Sequence, residues 1–250
     1  MNSKPRDYSI FDKFNFERKP VGMKFLLNKP VGIDKLDKDM AFCAMFKEAQ
    51  TRSPFYVSKD NFTCLGKIVL GMEETEPVME SGQIGATERI FMEARANSRI
   101  YQYITKLAKN TVRYVAFSPV DALSFDPDIL IVTANISQAE ILLRALSYST
   151  GKPLMSKITP VIMCSWMFVY PYVSGEMNYM VTGLGYGMKA KKLLPEGLML
   201  ISIPFDLLPM LTENLQEMDW VLKLHTLGDN ERLEFQKSIM SEIRQKYENG

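Results

Sequence analysis

The stretch from Pro127 to Gly151, PDILIVTANISQAEILLRALSYSTG, restricts the fold more than any other part of the chain. Ile129 to Thr133 is a short run dominated by β-branched residues, the composition of a strand buried on both faces as in a parallel sheet. A helix is predicted to follow at once. Ser137 is placed to cap it, Glu140 to complete a capping box, and Ile136 with Ile141 to staple its start. Ala139, Leu142, Leu143 and Leu146 recur at helical spacing, and Gly151 with Pro153 stops the run. Strand, tight turn and amphipathic helix make half of a βαβ unit. Leu198 to Ile203, LMLISI, repeats the buried-strand pattern ahead of a helix carrying Leu207, Leu208, Leu211 and Leu215. The expected fold is therefore α/β: a mixed, substantially parallel sheet with helices packed on it.

Taken in order, residues 1–19 read as an N-terminal arm and 20–250 as a single α/β domain. Its halves fall at 20–110 and 111–225, and a C-terminal amphipathic helix at 229–248. Pro20 to Leu27 is a first strand. Asp39 is placed to cap a helix from Met40 to Gln50, and Ser58 a second helix closed by Gly71. Glu73 to Gly85, acidic and broken by Pro77 and two glycines, reads as a linker or mobile loop, and Thr87 opens a long helix up to about Asn110. Pro160 to Val173 is a buried strand or a short buried helix; periodicity does not separate them at this length. Two stretches share an order of residues. A Cys-containing apolar segment precedes Tyr56-Val57-Ser58 in one and Tyr172-Val173-Ser174 in the other, and each continues to a Leu-Gly pair and Gly-Met. A pseudo-repeat of two halves is the corresponding expectation, with Cys64 set against Gly183.

Composition then removes classes of function. Thirty basic residues against 29 acidic ones give a formal charge of +1, so no net field draws the chain to nucleic acid or to an anionic membrane. No stretch reaches the ~18 uncharged apolar residues of a membrane helix, and the first residues lack an apolar core like that of a secretion signal. A cytoplasmic protein is expected, without nucleic-acid or membrane partners, able to take a small-molecule ligand and to form a homo-oligomer. The single histidine, His225, leaves Ser-His-Asp catalysis and two-histidine metal sites without their residues.

Two chemistries stay open. Three cysteines, Cys43, Cys64 and Cys164, are too few and too scattered for a disulfide framework. As soft ligands they would suit an iron–sulfur cluster with one iron open to substrate, or a metal with water in its fourth position, for redox or lyase-like work. Plain burial of the three as small apolar residues is the competing reading. The alternative function is a metal-free binding or assembly protein. Gly183, Gly185 and Gly187 let backbone N–H groups approach a phosphate or carboxylate, and Lys189, with Lys191 and Lys192, adds positive charge. Thr133, Asn135 and Ser137 stand at the carboxyl end of the central strand, where open α/β sheets bind ligands.

Pro20-Val21-Gly22-Met23-Lys24-Phe25, Cys43 and Ala49 in one helix, Cys64-Leu65-Gly66 with Leu70-Gly71, and the Pro127-Asp128 strand leading into a leucine-rich helix together resemble the archaeal and anaerobic-bacterial family known as domain of unknown function 169. The resemblance spans about residues 18–215. It implies no established activity, and the occurrence of the family in anaerobes implies tolerance of oxygen-sensitive cofactors. Cys43 and Cys64 match its pattern; Gln50 stands where the pattern has glycine, and Gly183 where some members have a further cysteine.

Overall fold

The computed structural model describes residues 7–181 and 184–248. Seven strands, β1 (Val21–Leu26), β2 (Asp34–Lys35), β3 (Phe55–Ser58), β4 (Tyr114–Pro119), β5 (Ile129–Ala134), β6 (Asn178–Val181) and β7 (Met199–Pro204), form one sheet in the order β2-β3-β4-β1-β5-β7-β6. Around it lie α1 (Phe42–Ala49), α2 (Gly66–Val69), α3 (Pro77–Glu80), α4 (Gln83–Thr87), α5 (Ala94–Tyr101), α6 (Ile136–Tyr148), α7 (Tyr170–Ser174), α8 (Tyr186–Ala190) and α9 (Leu208–Glu217). One compact unit ends at Gln216 and a second, from Glu217, holds α10 (Lys223–Thr226) and α11 (Asp229–Glu248).

The sheet is mixed but mostly antiparallel, which corrects the expectation of a substantially parallel one. β1 runs antiparallel to β4 and to β5, β3 to β4, and β7 to both β5 and β6; β2 with β3 is the parallel strand pair among the described residues. All six residues of β5 are buried. Such a run has the same composition whichever way its neighbours point, because helices cover both faces and no polar alternation is left to mark a solvent side. One face carries Val21, Met23, Phe117, Ile129, Ile131 and their neighbours into a core shared with α1 and with a π-helical turn, Ser165–Val169, that runs into α7. Leu130, Val132, Ile201 and Ile203 alternate to the other face, where α6 supplies Leu142, Ala145 and Leu146, and α9 is tied to α6 by Asn214 Nδ2 donating to Ala145 O at 2.8 Å.

Asp128 extends the β1–β5 ladder past the last paired residue. Its N–H donates to Met23 O at 2.7 Å and its Oδ2 accepts from Phe25 N at 2.7 Å, so it is part of the sheet. α6 begins two residues earlier than read from sequence. Asn135, not Ser137, is its cap: Asn135 Oδ1 accepts from Gln138 N and Gln138 Oε1 accepts from Asn135 N, both at 2.9 Å, while Glu140 pairs with Arg144 and Ile136 is exposed. Thr133 is buried and accepts from Gln50 Nε2 at 2.9 Å, so the pair is a core contact and not a pocket wall. In the N-terminal arm, Ile10, Phe11 and Phe14 are buried, and Phe14 O accepts from Gln138 Nε2.

Three predicted helices come out shorter, the first of them running from Phe42 to Ala49 with Ala41, not Asp39, at its N-cap. The second is broken at residues 62–65 because Phe62 bridges to Met40 and Asn61 Nδ2 donates to Leu36 O and Lys38 O, which holds the chain extended there. The linker 73–85 folds as α3 and α4, and the long helix from Thr87 is confined to α5, since Arg89 adopts φ 55° and ends the preceding turn. The aligned tripeptides also part company: Tyr56-Val57-Ser58 lies in β3, whereas Tyr172-Val173-Ser174 lies in α7. What the two halves do share is strand order, β1-β4-β3 outward on one side and β5-β7-β6 on the other.

Candidate functional site

Cys43 is the second residue of α1, Cys64 sits in the turn ahead of α2, and Cys164 immediately precedes the π-helical turn. Three segments far apart in sequence thus bring their thiols to the wall of one cavity of about 670 Å³. Asn178, fully buried in β6, fixes the third of them. Its Oδ1 accepts from Lys157 N and its Nδ2 donates to Lys157 O and Trp166 O, at 2.8–2.9 Å, binding the stretch that carries Cys164 to the sheet edge. Ser165 Oγ donates to Thr105 O at 2.8 Å and joins the same turn to the segment after α5.

The sulfur of Cys64 is held by backbone. Phe42 N, at the start of α1, donates to Sγ at 3.2 Å, and Gly66 N, at the start of α2, donates at 3.3 Å. Both are N–H groups that a helix leaves without an internal partner, and the sulfur satisfies them. Cys43 and Cys164 are shifted by their surroundings. Burial pushes the Cys43 thiol up from 9.0 to about 11, the nearby Cys64 adds to the shift, and the Lys191 ammonium partly offsets it. Burial drives Cys164 well above the ordinary range, with Cys64 and Cys43 contributing further. The three sulfurs therefore feel one another across the cavity. No group of three Cys, His, Asp or Glu among the described residues is gathered tightly enough to hold a single ion. Sulfurs sharing one ion at ~2.3 Å each would lie within ~4 Å of one another, and these do not form such a group.

Raised thiols make poor nucleophiles, because the thiolate is the reactive form. In the metal-free protein Cys43 is expected to react slowly with iodoacetamide at pH 7–8 and progressively faster as pH approaches 11, read by peptide mass spectrometry; rapid labelling at pH 7 would contradict the buried-thiol geometry. The linkage has a definite sign. The folded state holds the proton more tightly than the unfolded chain, so this contribution to stability is complete below the ordinary value of 9.0 and is lost as pH rises toward 11.

α8 lines the same cavity through Tyr186, Gly187 and Met188, and Lys191 follows it. Of the glycine and lysine residues singled out from sequence, Gly187 and Lys191 line the cavity. Gly185 abuts Met180 and Met163, where an added Cβ would stand 3.2 Å from Met180 Cε, Lys189 is exposed away from the cavity wall, and Gly183 lies outside the described residues. Of the three lysines named from sequence, Lys191, one turn beyond Gly187 and on the same helical face, is the one at the cavity wall. Ser137 and Asn135 are not among the cavity-lining residues.

A cover formed by α3, α4 and α5 lines the outer side with Met79, Ile84, Ile90 and Tyr101. Asn97 stabilises it, donating Nδ2 to Phe91 O at 2.8 Å and Glu93 O at 2.9 Å, while its buried Oδ1, against Gly85, finds no donor. Lys67 and Glu73 pair at 2.7 Å on the rim, which lowers the Glu73 carboxyl. Nothing in the sequence pattern marks Asn97 or the cover as part of a site. His225 is exposed in α10 and apart from the cavity lining.

No helix among the described residues is long and apolar enough to cross a membrane. A family model, that of domain of unknown function 169, described as uncharacterised ArCR, matches residues 9–214. No curated protein and no solved structure matches the chain.

Proposed function

We propose, for a chain that belongs to the domain of unknown function 169 family, that Cys43, Cys64 and Cys164 hold an iron–sulfur cluster at the cavity wall and that a small molecule binds beside it. The observation that carries this reading is the convergence of three unpaired thiols, from three separate segments, on one partly apolar cavity. A cluster fits the donor set better than a lone ion does, because each thiolate then binds its own iron and the sulfurs need not crowd together. Bound there through three cysteines, a cluster would supply redox or Lewis-acid chemistry at an iron left open to the ligand.

The chain's own groups have definite parts in this reading. Cys43 and Cys164 release their protons as the metal is taken up, so loading is expected to strengthen as pH rises. Phe42 N and Gly66 N donate to the Cys64 sulfur and fix its position. The Lys191 ammonium offsets thiolate charge near Cys43, and the apolar residues of the cover line the outer side of the cavity. Three free thiols suit a reducing compartment, which makes the cytoplasm the proposed location.

Anaerobic reconstitution with ferrous iron and sulfide tests the proposal. The wild type is expected to turn brown and retain iron and acid-labile sulfide, and Cys43→Ser, Cys64→Ser and Cys164→Ser each to retain less than about a tenth of it, while circular dichroism shows them folded. Colourless wild-type protein without iron, or folded variants that keep the metal, would sink it. A second reading, a metal-free site for a small anion, is favoured by Lys191 Nζ lying 4.0 Å from where a Gly187 Cβ would stand, at the same cavity. It predicts thermal stabilisation by a phosphate or carboxylate compound that persists when all three cysteines are serine.

A further inference from the structure

Helix α11, residues Asp229–Glu248, lies beyond the family match and none of its residues is buried. Its residues are nonetheless ordered around the helix. Leu233, Met240 and Tyr247 stand seven apart, with Gln236 and Ile243 between them, so the five form one seam at the alternating three-and-four spacing of helix pairing. Leu233 is 56% exposed, Met240 50%, Ile243 43% and Tyr247 85%. The other apolar residues, Phe235 and Ile239, are partly covered, and Phe235 lies under the Lys223 ammonium at 4.2 Å. The uncovered side is therefore a particular stripe, not general exposure.

Charge is segregated about that stripe. The charged residues flanking the seam, Arg232, Lys237, Arg244 and Lys246, are all basic, whereas Glu231, Glu234 and Glu242 lie on the far side. Arg232 is paired with Asp229 at 2.8 Å; Lys237, Arg244 and Lys246 have no ion pair among the described residues. A second copy of the helix would set cation against cation in either orientation. A membrane surface is disfavoured as well, since the helix carries one more carboxylate than cations and a surface-seeking helix is rich in basic residues on its polar face.

We propose that the seam of α11 is a docking surface for an acidic amphipathic helix of another protein, apolar residues meeting Leu233, Met240 and Ile243 and carboxylates meeting Lys237, Arg244 and Lys246. Gln236, the polar residue of the seam, sets the register of the pair. The inference is independent of what occupies the thiol cavity.

Two synthetic helical peptides of about three heptads, with identical apolar seams and flanks of glutamate in one and lysine in the other, serve as probes of the full chain by fluorescence anisotropy. The glutamate peptide is expected to bind about tenfold or more tightly than the lysine peptide, and less tightly as salt is added. Lys237→Glu/Arg244→Glu/Lys246→Glu is expected to invert the preference, and Met240→Glu to abolish binding while the thermal unfolding of the family portion is unchanged. Equal binding of the two peptides, binding that survives Met240→Glu, or no binding would overturn the proposal. So would sedimentation showing self-association lost in Met240→Glu, or retention on phosphatidylserine vesicles without peptide binding.

Discussion

Phe42→Ala is expected to lower the free energy of unfolding by about 3–5 kcal/mol, the usual range for deleting a buried ring from a packed core. Phe42 is 1% exposed, and its ring meets Phe168 edge-on at 4.8 Å, Phe62 at 5.3 Å and Phe117 at 6.2 Å between centroids. It thus joins α1, the strand β4, the turn before Cys64 and the π-helical turn after Cys164. The ring contacts add to the area removed from water, and the surrounding rings, held by separate elements, cannot collapse into the space together. Gly66 is also fitted to it, since an added Cβ there would come within 2.7 Å of Phe42 Cβ. Phe42→Leu, which keeps most of the volume, is expected to cost under about 1.5 kcal/mol. Equilibrium urea unfolding measures both. A loss below about 1 kcal/mol for the alanine variant would show that the aromatic cluster does not hold these segments together.

Gly71→Ala is the second large effect, about 3 kcal/mol or more, and local in origin. Gly71 has φ 68°, and a Cβ would stand 2.3 Å from Ala108 O and 2.8 Å from Leu107 O. Those carbonyls cannot withdraw cheaply. Leu107 N donates to Val69 O and Asn110 N to Gly71 O, both at 2.9 Å, which sew the return of the cover onto the end of α2. The expected result is faster amide exchange over residues 72–110 with the sheet still protected. Gly151→Ala is the control: φ is 60° but nothing lies within 4 Å, so only backbone strain of about 1 kcal/mol applies. Equal exchange profiles for wild type and Gly71→Ala would overturn the assignment of this junction as the anchor of the cover.

The positions of the long strands were legible in the sequence, because runs such as Ile129 to Thr133 and Leu198 to Ile203 are too apolar and too branched to stand anywhere but in a covered sheet. Their sense was not, for burial on both faces erases the distinction. Helix starts failed where a side chain other than the expected one met the orphan N–H groups, as Asn135 does ahead of Ser137. The thiols were legible as a residue type and not as a pattern: no interval among 43, 64 and 164 suggests proximity, and only the sheet brings α1 and the π-helical turn to one face. Gly187 was marked by its glycine-rich context, Lys191 stood beside Lys189 and Lys192 with nothing in the pattern to single it out, and Asn97 left no mark, since its role depends on the Phe91 and Glu93 carbonyls and on Gly85.

The matching strand orders on either side of the sheet bear on how the chain is made. β1 to β4 come from residues 21–119 and β5 to β7 from 129–204, so each ladder closes over a contiguous length of chain. The two meet through only three paired residues, Val21–Met23 against Ile129–Ile131. Emerging first from the ribosome, the leading ladder can be completed while β1 still has a free edge, and that edge stays open until the segment around Ile131 has been synthesised. Unpaired strand edges are where nascent chains join wrong partners. The hazardous interval for this protein is the time taken to translate about a dozen residues, from the end of β4 to the middle of β5.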